Sequence, residues 1–278
     1  VQALLAGEVD LIPNFLPPPY VDKLEGDPNI TVAQTSPGRI QTLLFNMSDQ
    51  GKQHPAVLDQ RVREAIDYAI DKDKVIQVAL LGHGQLCPQR WRCGPYRVEV
   101  QDPSIQVTPF DREKAMQILD EAGYVDSDGD GLRETPEGEP LDFRLYYDAT
   151  IASTEPTSQN VKESLEAIGI AIEMEAVEIG SLISLMQAEE DYDLAIFPTQ
   201  SDPDPYAYAD WRYSCWSAPL DSGGNQVNFC NDEFQAILDK VGTTFGEERL
   251  QNIYAMDKYL STQRPIIWIV GMNTLGAY

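Results

Sequence analysis

Residues 143–177 read FRLYYDATIASTEPTSQNVKESLEAIGIAIEMEAV, and this stretch decides the fold class. Phe143-Arg144-Leu145-Tyr146-Tyr147 has the aromatic and aliphatic make-up of a strand. Thr157 to Ala167 reads as a helix ended by Gly169, and Ile170 to Val177 alternates as a strand does. Upstream, Asp111 to Ala122 is an amphipathic helix with Asp111 near its N-cap and Gly123 at its end. Residues 82–109 are loop-like, and Asp59 to Leu81 predicts one long helix. Val62, Ala65, Ile66, Ala69 and Ile70 form its core-facing stripe, which leaves Arg61, Arg63, Glu64 and Asp67 for the wet face. Downstream come a helix at Ser181 to Ala188 and a buried-looking strand at Asp193 to Phe197. Helices at Phe234 to Val241 and Glu247 to Thr262 follow, then an apolar strand at Ile266 to Val270. The first 46 residues read as a helix end at Val1 to Ala6, a short strand at Val9 to Ile12 and a proline-led helix at Tyr20 to Leu24. Two further strands, Ile30 to Gln34 and Ile40 to Asn46, flank a Ser36-Pro37-Gly38 turn. Strands and helices alternating at these lengths predict an α/β fold.

Composition narrows the function. The 278 residues carry 45 Asp plus Glu against 20 Lys plus Arg, a formal charge of −25. So acidic a surface repels phosphate backbones and anionic lipid, which excludes nucleic acid as a partner. It also makes any pair of neighbouring carboxylates uninformative. The longest apolar run, Ile266 to Val270, falls far short of the roughly 20 residues of a spanning helix. A start at Val1-Gln2-Ala3 is that expected of a processed or excised chain.

Four cysteines fall into two sequence-local pairs, Cys87 with Cys93 and Cys215 with Cys230. Neither spacing matches a zinc knuckle, so two small disulfide loops are expected, in an oxidising, extracytoplasmic compartment. Free buried thiols are the alternative. Nucleophilic catalysis has little to stand on: there is no G-x-S-x-G elbow, and His54 and His83 lie in loops as packing or surface residues. No dinucleotide fingerprint or phosphate loop is present.

Two segments carry candidate chemistry. Asp126, Asp128, Asp130, the Leu132 carbonyl and Glu137 satisfy the spacing of a calcium loop, but Pro136, Gly138 and Pro140 forbid the exit helix. A structural calcium and a plain acidic hairpin turn are both open readings; no other cofactor is implied. The second segment runs from the strand at Asp193 into a proline-rigid acidic turn and then interleaved aromatics: Ser201, Asp202, Asp204, Tyr206, Tyr208 and Trp211. Ligand sites in α/β sheets lie beyond the carboxyl ends of strands, and aromatic walls with a few acids suit a moderately polar or cationic ligand. A surface loop packed onto the core is the competing reading.

Taken in order, several motifs resemble the family 5 extracellular solute-binding proteins of ABC importers, the oligopeptide-, dipeptide- and nickel-binding group. They are Ala6-Gly7-Glu8-Val9-Asp10-Leu11, Leu44-Phe45-Asn46, the run Arg61 to Asp71, and Asp111 through Gly123-Tyr124. The series continues with Asp128-Gly129-Asp130-Gly131, Tyr192-Asp193-Leu194-Ala195-Ile196, Asp204-Pro205, and Cys215 to Cys230 followed by Asn231-Asp232-Glu233-Phe234. The resemblance implies a type II periplasmic-binding-protein-like lobe, a mixed sheet flanked by helices. Residues 46–264 would be the second lobe, 1–45 connecting strands with a partial first-lobe segment, and 265–278 a return hinge strand. It implies a non-enzymatic role carried out with a membrane permease of an ABC importer: two-lobe hinge closure on a di- or oligopeptide by a monomer outside the cytoplasm. Oligosaccharide or a metal chelate as ligand, a sensory binder, and a secreted hydrolase using Asp202 and Asp204 are the alternatives. In the family's peptide binders an Asp three residues before the Asp-Pro pair meets the peptide amine; that position is Ser201 here, with Asp202 one step later. Dipeptide-binding members carry a cysteine pair placed like Cys215 and Cys230, which implies a disulfide bracing the pocket loop.

Overall fold

The computed structural model describes residues 1–13, 16–87, 100–200, 204–217 and 224–278. In chain order come helices α1 (Gln2–Leu5) and α2 (Val21–Glu25), strand β1 (Val32–Phe45), helices α3 (Gln60–Ala69) and α4 (Lys72–Ala79), and the short strand β2 (Gly84–Gln85). Next are α5 (Arg112–Glu121), β3 (Asp142–Asp148), α6 (Thr154–Glu166), β4 (Ala171–Val177), α7 (Ile179–Ser184) and β5 (Leu194–Gln200). The last are α8 (Pro205–Tyr213), α9 (Asp232–Thr243), α10 (Gly246–Gln263) and β6 (Ile266–Ala277).

The strands make one mixed sheet in the order β2-β6-β1-β5-β3-β4. β3 is parallel to β4 and β5, whereas β1 is antiparallel to β5 and β6. Successive side chains on a strand point to opposite faces, so a strand apolar at every position needs cover on both. Leu43, Phe45, Phe143, Leu145, Ile196 and Ile267 enter one core with the apolar faces of α3, α4, α5 and α6. Their neighbours Leu44, Tyr146, Ala195, Ile266 and Trp268 enter a second core with α7, α8, α9 and α10. The expected α/β class, a mixed sheet flanked by helices, is what the chain forms.

The structure corrects the sequence reading at several points. The helix expected over 59–81 is two: Ile70 is extended (φ −79°, ψ 118°), and the Asp71 carboxylate caps α4 by accepting from the Lys74 N–H at 2.9 Å. Arg63 and Asp67, assigned to the wet face, are buried. Arg63 donates to the carbonyls of Gln263 and Val57, and Asp67 receives Lys72, Thr108 and Arg264. Val9 to Ile12 forms no strand; Ile12 alone bridges to Ala277. The Ser36-Pro37-Gly38 turn is absent too, because β1 runs straight through it and absorbs Pro37 in register shifts against β6.

Pairing of β1 with β5 stops at Arg39, opposite Gln200, yet pairing with β6 continues out to Val32, opposite Ala277. A two-stranded ribbon therefore projects beyond the central sheet. Its far end meets a small third cluster in which Leu4, Leu16, Val21 and Leu24 pack with Leu275 and Ala277.

Candidate ligand site at the ends of the parallel strands

β5 outruns its parallel neighbour. Leu194, Ala195 and Ile196 pair with Leu145, Tyr146 and Tyr147 of β3, whereas Phe197 to Gln200 pair only with β1. Pro198, which has no N–H to donate, is tolerated because it stands where β5 has lost its partner on one side. The notch left there opens a cavity of about 630 Å³ at the carboxyl ends of both strands. That volume suits a small-molecule or short-peptide ligand.

One side of the cavity is the end of β3, with Asp148, Thr150 and Ile151; the other is α8, with Tyr208, Trp211 and Arg212. Arg39, Thr199, Gln200 and Gln226 complete its polar lining. The sequence folds into α8 there because Asp204 accepts the Tyr206 N–H at 2.9 Å as N-cap and Pro205 takes the first helical position. The aromatics expected in a loop are thus on a helix.

That helix sorts the expected site residues. Tyr208 is buried in the cavity wall, its hydroxyl 3.3 Å from that of Thr199. Trp211 lines the cavity with its ring laid on Gly224, where any Cβ would fall 2.0 Å from Cζ2. Tyr206 faces the other way, its ring on Gly242, where a Cβ would fall 2.5 Å from it. Asp204 also turns away, to an ion pair with Arg249 at 3.0 Å. Ser201 and Asp202 lie outside the described residues.

The residues that sequence reasoning missed are Arg39, Asp148, Arg212 and Gln226. Asp148 is the last residue of β3, so the strand-end rule applied to β5 alone would have found it on β3. Its Oδ1 accepts the Thr150 N–H at 2.8 Å and hydroxyl at 2.7 Å. Arg212 is 1% exposed and donates through Nη1 to the Gly224 carbonyl at 3.1 Å and to Gln226 Oε1. The Gln226 carbonyl in turn accepts the hydroxyl of buried Tyr192 at 2.5 Å. Burial pushes that phenol well above its usual range; Arg212 opposes the shift and Glu190 adds to it.

Beyond α8, Cys215 is disulfide-bonded to Cys230, as expected. Cys87 is also disulfide-bonded, and Cys93 lies outside the described residues. In the acidic turn, Asp126, Asp128 and Asp130 gather with Glu134 rather than Glu137, their oxygens within 4.8 Å of one another. These carboxylates hold backbone: Asp126 accepts from Gly129 and Gly131, Asp130 from Leu132, and Glu134 from Ser127. His54 is a packing residue, its ring 5.0 Å from that of Phe143.

The family model described as bacterial extracellular solute-binding proteins, family 5, middle region, matches residues 1–219. Di/tripeptide-binding protein 4 of Pseudomonas aeruginosa is 32% identical over 246 residues, covering 87% of this chain and 42% of that protein. Among solved structures, the oligopeptide-binding protein AppA of Bacillus subtilis, in complex with a nonapeptide, superimposes with a TM-score of 0.81 at 20% identity, covering 99% of this chain and 53% of that one. NikZ of Campylobacter jejuni, in complex with Ni(L-His), gives a TM-score of 0.83 at 18% identity over 100% and 53%. The chain spans about half the length of the proteins it matches.

Proposed function

Because the chain belongs to the bacterial extracellular solute-binding proteins of family 5, we propose that it is the ligand-holding lobe of a peptide-binding component of an ABC importer. Residues 46–264 are the lobe in this reading, and 1–45 with 265–278 connect it to a second. The protein works as a monomer outside the cytoplasm, hands its ligand to a membrane permease, and catalyses nothing. Among the described residues no helix is long and apolar enough to cross a membrane.

The observation that carries the reading is the cavity at the ends of β3 and β5. Its lining brings the charged residues Arg39, Arg212 and Asp148 together with the aromatic residues Phe197, Tyr208 and Trp211. A peptide, with charged ends and apolar side chains, needs such a mixture. The ribbon of β1 and β6 supports the two-lobe part of the reading, since paired strands running out of one sheet can bend where their register slips. The Asp204 ion pair with Arg249 weakens a hydrolase using Asp202 and Asp204, because it takes the second acid away from the cavity.

The test is mass spectrometry of small molecules released on denaturing the purified full-length protein. Short peptides are the expected result. A sugar or a metal chelate in their place would keep the binding role and overturn the ligand class.

A further inference from the structure

Helix α8 meets its neighbours through two rings laid on two glycines. Trp211 covers Gly224, where a Cβ would fall 2.0 Å from Cζ2 and 2.2 Å from Cε2 and Cη2. Tyr206, turned from the cavity, covers Gly242 of α9, where a Cβ would fall 2.5 Å from Cε2 and 2.8 Å from Cζ. Contacts that short cannot stand, so a side chain at either glycine forces one partner aside.

At Gly224 the backbone itself does not call for glycine, because its φ lies outside the left-handed region. Nor is this backbone free to retreat. Its carbonyl accepts Arg212 Nη1 at 3.1 Å, and the next N–H, of Asn225, goes to the Ser217 carbonyl at 3.2 Å. The buried Asn225 carboxamide donates to the carbonyls of Ser214 at 3.1 Å and Phe229 at 2.7 Å. The indole is the part with room to move, since Trp211 is 45% exposed. What the missing side chain secures is thus the place of a ring, and that ring lines the cavity with the apolar residues Ile151, Ile179, Phe197 and Ala207. We propose that Gly224 is a positioning residue of the site: it seats the Trp211 indole against the backbone, and the indole so seated is the wall that selects an apolar side chain of the ligand. This rests on the cavity being a ligand site. It places selectivity partly in a residue that is not itself among those lining the cavity.

Calorimetry on the purified full-length protein compares trileucine with trialanine, which share charged ends and differ in side chains. Trileucine should bind at least about tenfold tighter, the worth of burying one branched aliphatic side chain. Gly224→Ala should remove most of that preference, whereas Gly242→Ala, which disturbs the same helix through Tyr206, should leave it unchanged. In a Trp211→Ala background, Gly224→Ala should change nothing further. Equal binding of the two peptides by the unaltered protein overturns the assignment and leaves peptide binding standing. A preference that survives Gly224→Ala, or that Gly242→Ala abolishes as well, also overturns it. So does a further loss in the Trp211→Ala background, because Gly224 then acts through something other than the ring. If neither peptide binds, the peptide reading falls and the wall's role falls with it. A second measurement needs no glycine variant: the protein is labelled with 5-fluorotryptophan, and the fluorine resonance of Trp211 is assigned by its loss in Trp211→Phe. Saturating trileucine should shift that resonance more than trialanine does; a resonance unmoved by bound trileucine overturns the assignment.

Discussion

At the scale of the residue, charge placement decides most of the outcomes. Asp67 is buried with Lys72 at 2.9 Å, Arg264 at 3.1 Å and the Thr108 hydroxyl at 2.6 Å on its carboxylate. Asp67→Ala strands the buried Lys72 and removes one of two acids from the half-buried Arg264, and should cost about 3–5 kcal/mol, read as a lower denaturant midpoint at unchanged slope. Buried phenols set the alkaline limit. Tyr192 is held above its usual range by burial, and Tyr124 is pushed up to about 12 by burial and by the Asp59 carboxylate. A folded-state value above the unfolded one contributes stability that is complete below the unfolded value and is lost as pH rises. The urea midpoint should therefore hold to about pH 10, the ordinary tyrosine range, and fall above it. Tyr192→Phe should flatten that fall. None of this was legible in the helix pattern around Asp67, because periodicity sorts apolar from polar positions and cannot see a polar side chain that meets its partners in the interior. Arg63 and Asp67 look like surface charges in sequence for that reason. Arg212 was hidden in the same way, an ordinary basic residue until Gly224 and Trp211 are placed around it.

The elements were read more surely. Where apolar spacing is long and regular, as in α5, α6 and β3, sequence and structure agree to within a few residues. Errors fall where a side chain outcompetes the backbone pattern. Asp71 breaks a helix that the apolar stripe continues across, and Asp204 with Pro205 starts one where prolines and acids had suggested a turn. Long-range pairing is the other source: β1 continues through Pro37 only because β6 lies alongside, and nothing local announces β6. The disulfide from Cys215 to Cys230 ties the end of α8 to the segment leading into α9. Its sequence separation of 15 predicts a loss of about 3 kcal/mol when both cysteines become serine, measured by thermal melting under non-reducing conditions. The wall bearing Tyr208, Trp211 and Arg212 should loosen with it, so ligand affinity should fall along with stability.

For the whole molecule, the two-lobe reading makes the cavity one side of a binding site, and free energies add where constants multiply. If this chain supplies half of the contacts, a ligand held at about 1 μM by the full-length protein is held at about 1 mM by the 278 residues alone. Calorimetry on both forms checks this, and comparable affinities would show that the site is complete within this chain. The ribbon of β1 and β6 carries a consequence of another kind. A strand reaching out of a sheet is an invitation to any other extended chain: among the described residues nothing pairs with the outer edge of β1 beyond Arg39, whereas Ile12, Leu16 and His83 take backbone groups of β6. Pro37 removes one donor from that edge, and the slipped register on either side of it keeps the rest from lying flat. In the two-lobe reading proposed above, the slip that lets the ribbon bend is also its protection against stacking into fibrous aggregates, and straightening it for rigidity would trade a moving joint for a sticky one.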